Sequence, residues 1–342
     1  MSVIAPRRSA PPVSRPDGFE SPYVSFEPRF KTLNDLVLVI FGIEVRSGDA
    51  AALRGKLLKE LKRPGGPEIL EHGRVKNGFG PNSLTWFAYW KSQADYEIWC
   101  DNSAVESLFD DTALLNGDIG LWREYCRVSL DHNETSFSRD EDITGLVHLS
   151  DEIGITQNHA YWGSCRDRLV AAVDNDLNAQ SQRKDIAAGQ TLGKRIKIEA
   201  ANNVCLIKTS QDMSNMNDEQ NAIYTNNVEP ALHAGLNYIR DNSVDTGCIG
   251  MRFIEERTEG GDDGQRTIGL GYFASLKHLE EWTHNSATHN EIMKQFMGMV
   301  EQFQGEPGLG LWHEVTVFPS GWLTGDYVNC SPDGTLMQSA AL

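Results

Sequence analysis

The segment "EWTHNSATHNEIM", residues 281–293, sets His284 and His289 five positions apart. On one continuous helix five residues turn about 500°, so the two rings would diverge by roughly 140° and could not share a metal ion. At most one of them is a ligand. Ile292, Met293, Phe296, Val300 and Phe303 follow His289 at helical spacing, and Ser286 or Thr288 can cap the helix, which puts the imidazole on an inward, apolar face. A histidine so placed is more often a satisfied core residue than a ligand. If it does bind metal, Met and Phe around it suit a single axial bond to a large apolar cofactor such as haem better than a closed zinc site.

His313 follows Trp312 in "LWHEV", where strand alternation sends the two side chains to opposite faces. With Trp312 packed outward under a helix, His313 points into the interior, either hydrogen-bonded to a neighbour or free for chemistry. His284, His278 and His72 stand among charged residues and read as surface. "HAYWGSCRDR", 159–168, gathers a histidine, two aromatics and an Arg-Asp-Arg triplet. If extended, Arg166 and Arg168 share a face, and a buried arginine needs an acceptor, as an ion-pair member or as a substrate hook.

These residues must be positioned by elements that the chain announces through a repeat. "YWKSQADYEIWCDNSA" (89–104) overlays "YFASLKHLEEWTHNSA" (272–287) at an offset of 183 with seven identities in sixteen, and "IGLWRE" (119–124) overlays "LGLWHE" (309–314) at an offset of 190. Each half also opens with an apolar run, 36–45 and 203–210, and then a helix candidate, 48–63 and 218–241. Strand pairs are read at 83–90 in the first half and in "GCIGMRFIEE" and "QRTIGLGYF" in the second. Strand, helix, strand, strand, helix, strand in each half implies an α+β fold of duplicated ferredoxin-like units, forming a dimeric-α/β-barrel-type fold with flanking helices. The expected organisation is a flexible arm over 1–30, a single domain over 31–342, and within it a first half 31–131, a connecting insert 132–196, a second half 197–320 with the site, and a tail 321–342. The tract 255–267, rich in Gly and Asp, reads as an exposed hairpin loop.

The repeat also acts as an internal control on the histidines. His289 aligns with Glu106, and His313 aligns with Arg123 inside an otherwise matching L-W-x-E. Positions that agree serve the shared fold; both histidines occur in one half only.

Composition narrows the partners. A chain of 342 residues, 40% hydrophobic and with eight Trp, can bury a sizeable core. Its 31 basic against 48 acidic side chains give a formal charge of −17, which opposes nucleic acid and anionic membranes and leaves a small neutral ligand as the easier partner. Six scattered cysteines without metal-knot spacing read as reduced cytosolic thiols. No apolar leader and no stretch of roughly 20 apolar residues is seen, so the expected location is the cytoplasm.

"HAYWGSCRDR", "IKTSQDMS", "EWTHNSATHNEIM", "LWHEV" and "YVNCSPDGT", in this order, resemble the haem-containing aldoxime dehydratases, the phenylacetaldoxime dehydratase family, over roughly residues 30 to 340. The resemblance implies a homodimeric haem b enzyme that converts R–CH=N–OH to R–C≡N and water, with ferrous iron binding the oxime nitrogen. Carried over motif by motif, His289 is the axial ligand of the haem iron and His313 the distal acid and base. Arg168 becomes a distal donor to the oxime hydroxyl. The family's S-G-Q-D is T-S-Q-D here, so Thr209, ranked first, or Ser210 supplies the distal hydroxyl. H-A-Y-W stands where the family has H-G-Y-W, a small-for-small change expected to be without consequence. The alternatives are a peroxidase or chlorite dismutase type of oxidoreductase on a related barrel, and a non-catalytic haem sensor.

Overall fold

A computed structural model describes residues 4–339 apart from 142, 180–185, 259–262 and 306. The chain opens with β1 (Ser25–Arg29), β2 (Asp35–Val45), α1 (Ala51–Leu61), β3 (Ile69–Val75), β4 (Ser83–Trp90), α2 (Gln93–Asn102), α3 (Val105–Phe109) and β5 (Ile119–Ser129). A middle stretch follows with β6 (Asn133–Phe137), β7 (Glu152–Thr156), α4 (Ser164–Arg168) and β8 (Arg195–Glu199). Then come β9 (Val204–Asp212), α5 (Asp218–Ile223), α6 (Glu229–Asp241), α7 (Ser243–Thr246), β10 (Cys248–Arg257), β11 (Asp263–Phe273), α8 (Leu276–Asn285), α9 (Ala287–Gln302), β12 (Gly310–Phe318) and β13 (Leu323–Val328).

All thirteen described strands join one antiparallel ladder, β7-β1-β6-β12-β9-β11-β10-β3-β4-β2-β5-β13-β8. The two halves meet where Ile254 of β10 pairs with Val75 of β3. In β2 the alternation explains the continuous apolar run: Val37, Val39, Phe41 and Ile43 pack with Trp86, Trp90 and Trp99 under α1 to α3, while Leu36, Leu38 and Ile40 enter the central core. Both faces are covered, so neither needs polar residues. The tryptophans fill the space between the first half's sheet and its helices, Trp90 and Trp99 lying 4.9 Å apart between ring centroids.

Two carboxylates stitch the halves together in the interior. Glu124 of β5 accepts two hydrogen bonds of 2.9 Å from Arg252 of β10 and one of 2.6 Å each from Tyr272 and Tyr327, all buried. Its repeat counterpart Glu314 is buried beside Tyr89 and Lys208. Lys208 Nζ in turn donates to Glu71 Oε2 at 2.7 Å and to Tyr89 at 3.1 Å.

Several expectations are corrected. Strand β3 was not anticipated, because "ILEHGRV" carries too many polar residues to announce itself. Within the expected arm, the described residues from 4 on touch the rest of the chain: the Val13 and Ser14 amides donate to Asp167 at 2.8 and 2.9 Å, Arg7 pairs with Asp131 at 2.7 Å, and β1 runs along β7. The insert 132–196 and the tail 321–342 are woven into the sheet, β6 pairing with β12 and β13 with β5. Of the expected hairpin loop 255–267, residues 259–262 lie outside the described residues, and β10 and β11 extend to the pair Arg257 and Asp263 on either side. Among the described residues no helix is long and apolar enough to cross a membrane.

Candidate active site

Between the second half's sheet and its helices α6, α8 and α9 lies a cavity of about 730 Å3, where the first half holds its tryptophans. Leu232, Leu236 and Ile239 of α6, Ile292 and Phe296 of α9, and Met251 and Phe273 of the sheet make its walls apolar. Trp282, which the repeat aligns with Trp99, lines the cavity instead of filling it, with its ring 4.9 Å from that of His289.

His289 sits in the first turn of α9. The helix starts there because the Ser286 hydroxyl accepts the Thr288 amide at 3.2 Å, and this cap divides α8 from α9. His284 and His289 therefore ride on two helices rather than one. The exposed His284 ring packs tilted against Trp162 at 4.4 Å at the cavity rim, and His289 faces the interior. His289 Nδ1 is buried and makes no hydrogen bond of ordinary geometry, though the Thr283 backbone lies within electrostatic reach. Burial holds this imidazole below its ordinary pKa, which favours the neutral, metal-binding form.

His313 stands on the opposite wall, on β12. Trp312 turns away from the cavity into a cluster with Phe137 and Val147, as alternation requires, but beneath strands and a short 3-10 turn rather than under a helix. His313 Nε2 lies 3.0 Å from Arg168 Nη2 and 3.1 Å from Glu134 Oε1, while Arg168 Nε donates to Glu134 Oε2 at 2.6 Å. Arg168 also donates to the Asn158 carbonyl. Burial would push the Glu134 carboxyl up, but Arg168 and then His313 outweigh it and hold it at about 2. For Arg168 burial works against the charge, and Glu134 more than restores it. The trio is thus a buried cation and anion gripping one imidazole nitrogen.

Arg166 and Arg168 do not share an extended face. They lie on the short helix α4, where Arg166 turns to Glu280 at 2.8 Å and only Arg168 reaches the cavity. Thr209 and Ser210 are separated by strand alternation. Thr209 is the cross-strand partner of His313 and lines the cavity, whereas Ser210 pairs with Trp312, points to the other face and is buried with its hydroxyl unpartnered. The structure brings His289, His313, Arg168 and Thr209 together and leaves Ser210 out. Gly269 on β11 keeps room beside Thr209, since a Cβ there would come within 3.0 Å of the threonine methyl.

Glu134 is the residue that sequence reasoning missed. Its one signal was indirect, the requirement that a buried arginine find an acceptor. Ala160 departs from expectation too. Its φ of 61° is in the left-handed region, so an alanine there is strained where glycine would not be.

The cavity suits haem. Its size is that of a cofactor pocket, its walls are apolar, and it offers one imidazole from the helix layer with a second facing it from the sheet. A single buried imidazole among apolar side chains is a donor set that fits a porphyrin-borne iron. Fold and site together define an α+β haem-pocket protein with a polar distal trio.

Comparisons with known proteins agree. Residues 40–335 match the model of the haem-containing dehydratases. The chain is 31% identical over 301 residues to a phenylacetaldoxime dehydratase of Bacillus sp. (strain OxB-1), covering 87% of this chain and 86% of that one. It is 26% identical over 333 residues to an aliphatic aldoxime dehydratase of Rhodococcus globerulus, covering 96% and 94%. A crystal structure of an aldoxime dehydratase in complex with butyraldoxime superposes with a TM-score of 0.87 at 25% identity, over 99% of this chain and 95% of that one. The chain belongs to the haem-containing dehydratase family.

Proposed function

We propose that this enzyme dehydrates aldoximes to nitriles, R–CH=N–OH giving R–C≡N and H2O, with His289 holding the haem and His313 moving the protons. One observation carries the reading. The cavity sets His289 on its helix wall and, on its sheet wall, an imidazole whose Nε2 is gripped by Arg168 and Glu134. When bound on His289, reduced haem supplies an open coordination position for the oxime nitrogen and electron density toward the N–O bond.

The side chains supply the remainder. Hydroxide is a poor leaving group and must depart as water, so a proton has to reach the hydroxyl oxygen as the N–O bond breaks. Nε2 of His313 can carry that proton, because Glu134 balances the imidazolium charge; once bare, the nitrogen accepts from Arg168 Nη2. The same imidazole then takes the hydrogen from the oxime carbon as C≡N forms, which returns it to its starting state. Arg168 and the Thr209 hydroxyl hold the oxime O–H in line, and the apolar walls exclude bulk water, which strengthens these contacts.

The proposal extends to assembly and location. The repeat, the shared element order and the matching strand order in each half, fourth-first-third-second, support duplicated ferredoxin-like units curled into a barrel. Six cysteines without a disulfide support a reducing compartment, the cytoplasm. A homodimer is the assembly that the family resemblance implies.

The test is anaerobic assay of dithionite-reduced protein with an aliphatic and an aromatic aldoxime, against peroxide-driven dye bleaching. Nitrile formation without bleaching is expected, and the reverse would favour the peroxidase reading. His289→Ala should lose its His-ligated Soret spectrum, whereas His313→Ala should keep it and lose nitrile formation.

A further inference from the structure

A second cavity, of about 270 Å3, lies behind the distal trio. It shares Glu134 and Arg168 with the haem-sized cavity, so this ion pair is a wall common to both. Its character differs from that of the main cavity. Arg8, Glu27, Asn133, Thr156 and Asn158 supply polar lining, and the exposed Ala5 and Pro6 border its outer end. Polar atoms around it are under-satisfied. Arg8 Nε, on a side chain only 5% exposed, is buried without a hydrogen bond, and Glu27 Oε1 has Arg29 at 3.4 Å as a long ion-pair contact. Burial pushes the Glu27 carboxyl up, with Arg29 opposing. Under-satisfied buried polar groups around a space large enough for several water molecules are the conditions under which ordered water is retained.

We infer that this cavity is a water port through which the water made in each turnover leaves, a proposal that rests on the aldoxime reading. The N–O bond breaks beside His313 and Arg168, at the inner, sheet end of the main cavity. The walls of the main cavity around that point are built by Leu232, Leu236, Ile239, Ile292 and Phe296. These apolar walls give water nothing to bind. Behind Arg168 and Glu134, by contrast, a rearrangement of either side chain opens onto a polar chamber that reaches the surface by the N-terminal segment. That segment, pinned by Asp167, therefore forms part of the port.

Two variants and one structure test this. Ala5→Phe puts bulk at the outer end on an exposed position, and Glu27→Leu makes the chamber apolar from within. Both should lower kcat and KM together, about fivefold, with kcat/KM and Soret spectrum unchanged, and single-turnover nitrile formation should stay fast, so that a burst appears. A crystal structure of the haem-loaded enzyme should show ordered water between Glu27 and Glu134. Unchanged kcat in both variants, or a dry chamber in the crystal, overturns the port. Failure of the wild-type enzyme to form any nitrile would instead sink the aldoxime reading, and the crystal would still report on the chamber.

Discussion

Arg123 is clamped to Glu106 by two hydrogen bonds of 2.5 and 3.0 Å, at the positions that the internal repeat aligns with His313 and His289. In one half a salt bridge, backed by Asp326 and by the Phe109 ring 4.4 Å beneath the guanidinium, closes the ground between sheet and helices. In the other half two imidazoles face each other across a cavity. The same framework is closed by a salt bridge in one half and left open as a cavity in the other.

Glu134→Gln removes the anion that balances His313 and Arg168 while keeping the shape of the side chain. Nitrile formation should fall about 100-fold with the Soret spectrum retained, since the loss is of proton transfer and positioning rather than of cofactor. Steady-state assay beside an absorption spectrum checks it, and full activity would remove Glu134 from the distal trio.

Thr209→Val and Ser210→Ala separate two neighbours that strand alternation sends to opposite faces. The first should cost about tenfold or more in kcat/KM by removing a donor to the hydroxyl. The second should leave the rate unchanged, because Ser210 faces away from the cavity. Equal effects would show that the register has been misassigned.

Ala160→Gly relieves a left-handed backbone at an exposed position beside the cavity. The strain of about 1–2 kcal/mol exceeds the extra chain entropy of glycine, about 0.5–1 kcal/mol, so the variant should gain about 0.5–1 kcal/mol in stability. Chemical denaturation gives the number, and a loss of stability would mean that other contacts favour alanine there.

Glu314→Gln addresses pH. Burial pushes the Glu314 carboxyl up from 4.5 to about 7, with Lys208 opposing. Between those values the folded state keeps a proton that the unfolded chain releases, so this group's contribution is complete below about pH 4 and is lost as pH rises through about 7. Glu71 and Glu134, both held at about 2, act in the opposite sense: their contribution is present above 4.5 and lost as pH falls toward 2. The glutamine variant should flatten the fall in melting temperature between about pH 5 and 7 while leaving acid unfolding unchanged. An unaltered slope would place the titrating group elsewhere.

How much of this was legible depends on how local the signal was. The repeat could be read because Tyr89 and Tyr272, Trp99 and Trp282, and Glu124 and Glu314 keep their types for packing reasons. His289 and His313 stood out as breaks in that agreement, though only resemblance to a known family gave them roles. Glu134 could not be found, since Arg168 is 34 residues away and nothing between them marks the pairing. Ser210 could not be dismissed until the cross-strand register of β9 with β12 was known. The N-terminal stretch reads as a loose chain from its Pro, Ser and Arg content, because the acceptor of its Val13 and Ser14 amides, Asp167, lies more than 150 residues downstream.

The interlocked glutamates also limit what can be cut from this molecule. Glu124 is ion-paired with Arg252 and accepts from Tyr272, and Glu314 sits against Tyr89, so a fragment ending near residue 131 or beginning near 197 would carry a carboxylate stripped of its mates. Expressed separately, such pieces should stay insoluble or molten, and mixing should restore a folded product only when the stretch 132–196 is carried by one of them.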